Sequence, residues 1–329
     1  MKKLLVSFMV VVCALLASAV RAETKVGIVF DKGGKDDKSF NASAYKGVME
    51  AKDKLKIQLK YVEAADDNAF EPMLRAFASK KFDLVIGVGF AQAEAIKKIA
   101  TEFPKVNFAI VDAKVDAPNV RSLLFAEHEG SFLVGAIAAL TSKTGTVGFI
   151  GGMDVPLIRR FATGFEAGAR HVNPKAKVVT NFVGVTPEAW NNPPKAKELA
   201  LAQYNGGADV IFGAAGASGA GLFDAAEEKK KFAIGVDSNQ NWIKPGLVLT
   251  SMLKRVDVAV YKTVDDAVNG KFTGGNAEFG FANQGVDYAI DDNNAKILTA
   301  EVKLKADGIK ADILSGKIKV PDYFETQKK

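Results

Sequence analysis

The chain has 329 residues with 44 Lys plus Arg, 38 Asp plus Glu, two histidines and one cysteine, and a formal net charge of +6. Its lysines are scattered over helix faces rather than clustered, which argues against a nucleic-acid binder. His128 and His171 stand far apart, which argues against a histidine-based metal site, and no cofactor is expected.

Residues 1–22 have the form of an export signal: Lys2 and Lys3, an apolar run from Leu4 to Leu16, then small residues. Val20-Arg21-Ala22 suits a cut that leaves Glu23 at the N-terminus, with Ala17-Ser18-Ala19 as an earlier alternative. The apolar run is shorter than the roughly 20 residues a membrane span needs. Cys13 follows Val12 and is followed by more apolar core, so a lipid anchor there is not expected. Loss of the leader lowers Lys plus Arg to 41 against 38 acids, a net charge of +3. The remaining chain is longer than one typical domain core, so two lobes are expected.

Strands are expected at Lys25–Phe30, Gln58–Glu63, Leu84–Gly87, Asn107–Val111, Val120–Phe125, Thr146–Ile150, Lys177–Phe182, Val210–Phe212, Phe232–Val236 and Leu247–Met252. Several are continuous apolar runs, as in parallel strands buried on both faces. Amphipathic helices are expected between them, at Ser43–Asp53, Phe70–Ser79, Glu94–Phe103, Gly130–Thr141, Arg160–His171, Pro193–Asn205, Gly221–Lys230 and Val256–Asn269. Repeated strand–helix–strand units imply mostly parallel sheets with right-handed crossovers. Lys25–Asp112 and Thr146–Asp237 each hold four strands and three helices. Two such halves suggest lobes facing each other across a cleft, with crossings near Ala126–Glu129, Thr250 and Phe279–Asn283.

Ligands of open α/β sheets bind at the carboxyl ends of strands. Those ends carry Asp31, Asp37, Phe40 and Asn41, then Gly89 and Phe90, then Asp112; in the second half they lead to Trp190, Gly216 and Asp237. Acids at separate strand ends suit a ligand with several hydroxyls, because a carboxylate can accept two hydrogen bonds from a diol. Aromatics from opposite halves, Phe40 and Trp190, suit a planar ring. Taken alone, an Asp at a strand end is more often a helix cap or turn residue, and a lone Trp is more often packing.

Other motifs read less well as chemistry. GGKDDKS is close to a phosphate loop, but Asp37 stands where the last glycine belongs and would repel a phosphate. The glycines at 213, 216, 219 and 221 do not fit G-x-G-x-x-G; the better reading is a tight turn with N–H groups open at a helix start. Asp291-Asp292-Asn293-Asn294 lacks the spacing and closing Glu of a calcium loop and reads as a turn. The sequence offers no acid-rich metal cluster or general base with a water path, so an enzyme is not expected.

FDKGGKDDKSFNASAYKG (30–47), EGSFLVGAIAA (129–139), VGFIGGMDVPLIRRFATGFEAGA (147–169), PPKAKELA (193–200), and AIGVDSNQ followed by LTSMLKRVDVAVY (233–261) resemble the BMP (basic membrane protein) family. Its members are periplasmic substrate-binding proteins of ABC transporters, including a purine nucleoside receptor. The resemblance covers essentially the whole chain behind the leader. It implies an α/β, type I periplasmic-binding fold: two three-layer α/β/α lobes with parallel sheets joined by hinge strands. The expected division is 1–22 as signal peptide, 23–126 plus 250–279 as the first lobe, and 127–249 plus 280–329 as the second. By the same resemblance a purine lies between Phe40 and Trp190 and meets Asn41. The ribose then meets Asp112, Asp237 and Lys254, with Gly216 beside it. The expected protein is a periplasmic monomer that captures a nucleoside, preferentially a purine one, by hinge closure and hands it to an ABC permease. A sugar or other small polar ligand, or a sensory role, are the rival readings.

Overall fold

The computed structural model describes residues 23–327, so the expected leader and Cys13 lie outside the described residues. Twelve strands are described, in two sheets of six. In the first half the order is β1 (Lys25–Phe30), α1 (Phe40–Leu55), β2 (Gln58–Glu63), α2 (Phe70–Ser79), β3 (Leu84–Val88), α3 (Ala93–Glu102), β4 (Asn107–Val111) and β5 (Val120–Phe125). The second half runs α4 (Glu127–Thr141), β6 (Thr146–Met153), α5 (Pro156–Val172), β7 (Lys177–Gly184), α6 (Pro193–Asn205), β8 (Val210–Ala214), α7 (Gly219–Lys229), β9 (Phe232–Asp237) and β10 (Val248–Lys254). Then come α8 (Val256–Val268), β11 (Gly275–Phe279), β12 (Val286–Tyr288), α9 (Ala300–Leu314) and the short α10 (Tyr323–Thr326).

The first sheet has the order β11-β5-β4-β3-β1-β2 and the second β12-β10-β9-β8-β6-β7. The two orders correspond strand for strand, so the ends of β4 and β9 hold equivalent places in the two lobes. All recorded pairings are parallel except β10 with β12, an antiparallel edge. The central strands β1, β3 and β8 are almost wholly buried, because helices cover both faces of each sheet. In the second lobe α4 and α5 pack almost backbone to backbone. A Cβ on Gly168 would stand 1.9 Å from the Phe132 carbonyl oxygen, so a larger residue would force the two helices apart.

The chain crosses between lobes at Ala126, at Arg255 and over the turn after Phe279. The middle crossing corrects the expected division, which put 250–254 in the first lobe. β10 continues to Lys254 in the second sheet, with Leu253 opposite Asp237 on β9 and Lys254 opposite Val286 on β12. The switch follows at α8, whose Val256, Ala259, Val260 and Val264 join the first lobe's core with Ala44, Val48 and Ala51 of α1. All three crossings fall on the β5/β11 and β10/β12 side, so the cleft opens toward β2 and β7.

Candidate functional site

The loop after β1 is folded by its own polar side chains. Asp37 accepts from the backbone N–H groups of Ser39, Asn41 and Ala42 at 2.8, 2.9 and 2.9 Å. These are donors the first turn of α1 would otherwise leave unpaired. Asn41 accepts from the Asp31 N–H at 3.0 Å and donates to Asp37 at 3.1 Å and to the Lys32 carbonyl at 3.4 Å. Asp37 is therefore the cap of α1, and Asn41 the clamp of the loop. Both amide hydrogens of Asn41 are committed, which leaves only a lone pair on its carbonyl for a ligand.

Two aspartates end equivalent strands, Asp112 after β4 and Asp237 on β9, with φ of 70° and 64°. Asp is one of the few residues that tolerates this left-handed backbone. Between them lies Lys254, 1% exposed at the end of β10. Its ammonium stands 2.5 Å from Asp112 Oδ2 and 3.2 Å from Glu127 Oε1. The Phe40, Phe125 and Phe161 rings lie 5.0–5.6 Å from the same nitrogen. Burial opposes the charge on Lys254, but Asp112, Glu127 and Asp237 outweigh it and raise its pKa.

Burial pushes the carboxyl of Asp237 up to about 7 against the pull of Lys254 and the Ser39 hydroxyl. It pushes Asp112 up to about 6, with Glu127 adding to the rise and Lys254 opposing it. Asp31 is also raised to about 7, first by burial and then by the neighbouring acids Asp67, Asp37 and Asp112. Asp112 Oδ1 is buried with no hydrogen-bond partner among the described residues. A buried acceptor without a partner is costly, and a ligand hydroxyl would satisfy it.

Aromatic rings wall the other end. Phe40 opens α1, while Trp190 ends a short 3₁₀ turn (Pro187–Trp190) after β7 and meets Phe90 edge-on at 6.5 Å between ring centres. Gly89, at φ 109°, lies against Asp31: a Cβ there would stand 2.3 Å from Asp31 Oδ2. Gly216, at φ 57°, makes the turn beneath the Trp190 ring.

The lobes are shut. Ser39 Oγ donates to Asp237 Oδ2 at 2.6 Å, Ser238 Oγ to the Ser39 carbonyl at 2.9 Å, and Gln240 Nε2 to the Lys38 carbonyl at 3.0 Å. At the mouth, Lys32 pairs with Glu188 at 2.7 Å.

Asp31, Asp37, Phe40, Asn41, Gly89, Phe90, Asp112, Trp190, Gly216, Asp237 and Lys254 all line this one pocket. Sequence reasoning missed Phe161 and Leu157, which line it too, and Glu127, which holds Lys254. Phe161 and Leu157 carry no sequence signal beyond the apolar pattern of α5. Its place inside the expected crossing at Ala126–Glu129 was the one available hint to Glu127.

A closable polar crevice between two like α/β lobes, joined by three crossings on one side, defines a hinged solute-binding protein. The family model for Bmp, "ABC transporter substrate-binding protein PnrA-like", matches residues 24–323, and the chain belongs to that family. It is 34% identical over 325 residues to the "ABC transporter nucleoside-binding protein BmpA" of Lactococcus lactis subsp. cremoris, covering 92% of this chain and 90% of that one. A solved solute-binding protein from Aeropyrum pernix K1 superposes with a TM-score of 0.83 at 29% identity, covering 91% and 94%. This is a binding protein and not an enzyme. A relative in Pyrococcus abyssi, 32% identical over 81% of this chain and 69% of that one, is named a lipoprotein. The expectation that Cys13 carries no lipid therefore finds no support among the relatives.

Proposed function

We propose that this protein captures a nucleoside, preferentially a purine nucleoside, in the periplasm and delivers it to the permease of an ABC importer. The carrying observation is that one pocket joins rings from both lobes, Phe40, Phe90 and Trp190, to the buried Asp112–Lys254–Asp237 cluster. The rings offer π-faces to a base, and the cluster offers acceptors and a donor to ribose hydroxyls. The neutral nucleoside adds no charge to a cleft whose acids already face Lys254. The name of the Lactococcus relative supports the same ligand class. Contacts to both lobes favour the closed state, and the protein works as a monomer whose chain starts near Glu23.

A thermal-shift and calorimetric screen of nucleosides, free bases and sugars tests this. Adenosine, inosine or guanosine are expected to bind far more tightly than adenine or any hexose. A sugar that binds while all nucleosides fail would overturn it. Mass spectrometry of the exported protein tests the start at Glu23, and an acylated Cys13 would refute it.

A further inference from the structure

We propose that Arg160, clamped by Asp322 of the C-terminal segment, positions Lys254 through Glu127, so that this segment sets the affinity of the cleft. The proposal rests on the reading of Lys254 as a ligand-contacting residue.

Arg160 projects from α5 on the hinge side. Its Nε and Nη2 donate to the two carboxylate oxygens of Asp322 at 2.9 and 2.7 Å, a fork-to-fork pair. Its Nη1 donates to Glu127 Oε2 at 2.7 Å and to the carbonyl of Phe125, the last residue of β5. Glu127 is 1% exposed, and its other oxygen, Oε1, faces Lys254 Nζ. One line of charge thus runs Asp322, Arg160, Glu127, Lys254, Asp112. It passes beside two of the three crossings, because Glu127 follows Ala126 and Lys254 precedes Arg255.

The alternation of sign gives the line its purpose. Glu127 is too deep to turn toward water, so its position follows the cations around it. With Arg160 in place, one oxygen of Glu127 is taken and the ammonium of Lys254 is shared with Asp112. If Arg160 is released or lost, Glu127 has only Lys254 to neutralise it and draws the ammonium off Asp112. Asp322 fixes Arg160 against that outcome, and the Phe324 ring, 5.0 Å from the guanidinium, covers it. His128, next to Glu127, offers no substitute cation: burial and the charge of Arg160 push its pKa down to about 4.

The test uses the full chain with Asp322→Asn, Asp322→Glu and Arg160→Gln. The first readout is acetylation of Lys254, followed by mass spectrometry without ligand and referenced to Lys80. The second is calorimetry with adenosine and 2′,3′-dideoxyadenosine. Asp322→Asn should slow labelling of Lys254, because an ammonium held by an uncompensated Glu127 gives up its proton less readily, and weaken adenosine binding about 2- to 30-fold, the range of couplings carried through intermediate residues. It should also shrink the preference for adenosine over the dideoxy analogue, and Asp322→Glu should restore all three. Arg160→Gln should act in the same direction more strongly; if it fails to fold, the Asp322 pair decides alone. Unchanged Lys254 labelling and an unchanged preference, with only a lowered Tm, would overturn the proposal. A wild-type protein that binds no nucleoside would sink the nucleoside reading instead, and the labelling comparison would still decide the coupling.

Discussion

Ser39 of the first lobe donates its hydroxyl to Asp237 of the second at 2.6 Å. Ser39 is fully buried and Asp237 is 7% exposed, so this contact lies inside the closed cleft rather than on its rim. One oxygen of Asp237 thus holds the two lobes together. A nucleoside hydroxyl donating to the same carboxylate, as the proposed function has it, would gain a direct hold on the open–closed equilibrium.

Asp237→Ala should abolish nucleoside binding and also lower the Tm, because Ala does not share the tolerance of Asp for a left-handed backbone at φ 64°. A site built to bond an OH rejects an analogue lacking it, because its own buried polar group is then left unpaired. Adenine should accordingly bind wild type far more weakly than adenosine. A lowered Tm with affinity retained would make Asp237 a turn residue only.

Phe40→Ala should weaken adenosine binding by about 1–3 kcal/mol, the range for a base stacked on an aromatic ring. Calorimetry at constant fold, checked by circular dichroism, measures it. Unchanged affinity would remove Phe40 from the site.

Adenosine affinity should rise with pH and level off above about 7. Under the proposed function ligand hydroxyls donate to the ionised form of Asp237, whose carboxyl is raised from 3.8 to about 7 by burial. Below that value binding must first expel a proton. Folding has the opposite slope for this group: a raised carboxyl favours the folded state while protonated. Its contribution is complete below pH 3.8 and is lost as pH climbs through about 7. Asp237→Asn should therefore flatten the fall of Tm between those limits. An identical pH profile in the variant would refute the assignment.

Glu188→Gln should quicken ligand release without moving Tm. Glu188 and Lys32 pair across the mouth, on the side away from the three crossings, where a contact has the longest lever on closure. The pair is exposed, so salt should mimic the substitution. Stopped-flow dissociation rates that ignore both salt and the substitution would show that the pair does not gate the cleft.

Much of the fold was legible because burial on both faces leaves continuous apolar runs. β1, β2, β4 and β5 begin and end where the sequence pattern puts them. Helices α1, α4 and α5 start three or four residues earlier than expected: α4 opens on the polar Glu127-His128-Glu129, and α5 opens on Pro156 at the first helical position. β11 and β12 were not legible: one is a largely exposed edge strand and the other is three residues long. α9 was missed as well, since it buries only Val302, Ala306 and Ile313.

By itself the sequence determined two α/β halves, the strand ends at which acids and rings collect, and a family resemblance that named Lys254. Only the tertiary structure separated the roles of those acids. Asp37 turned out to spend itself on the first turn of α1, whereas Asp112 keeps an unpartnered oxygen in the cleft. The network behind Lys254 was invisible in one dimension, since Arg160 lies 33 residues from Glu127 and 162 from Asp322. Local pattern records which face of an element is buried. Which distant charges a buried residue meets is set by how the hinge folds the chain back on itself.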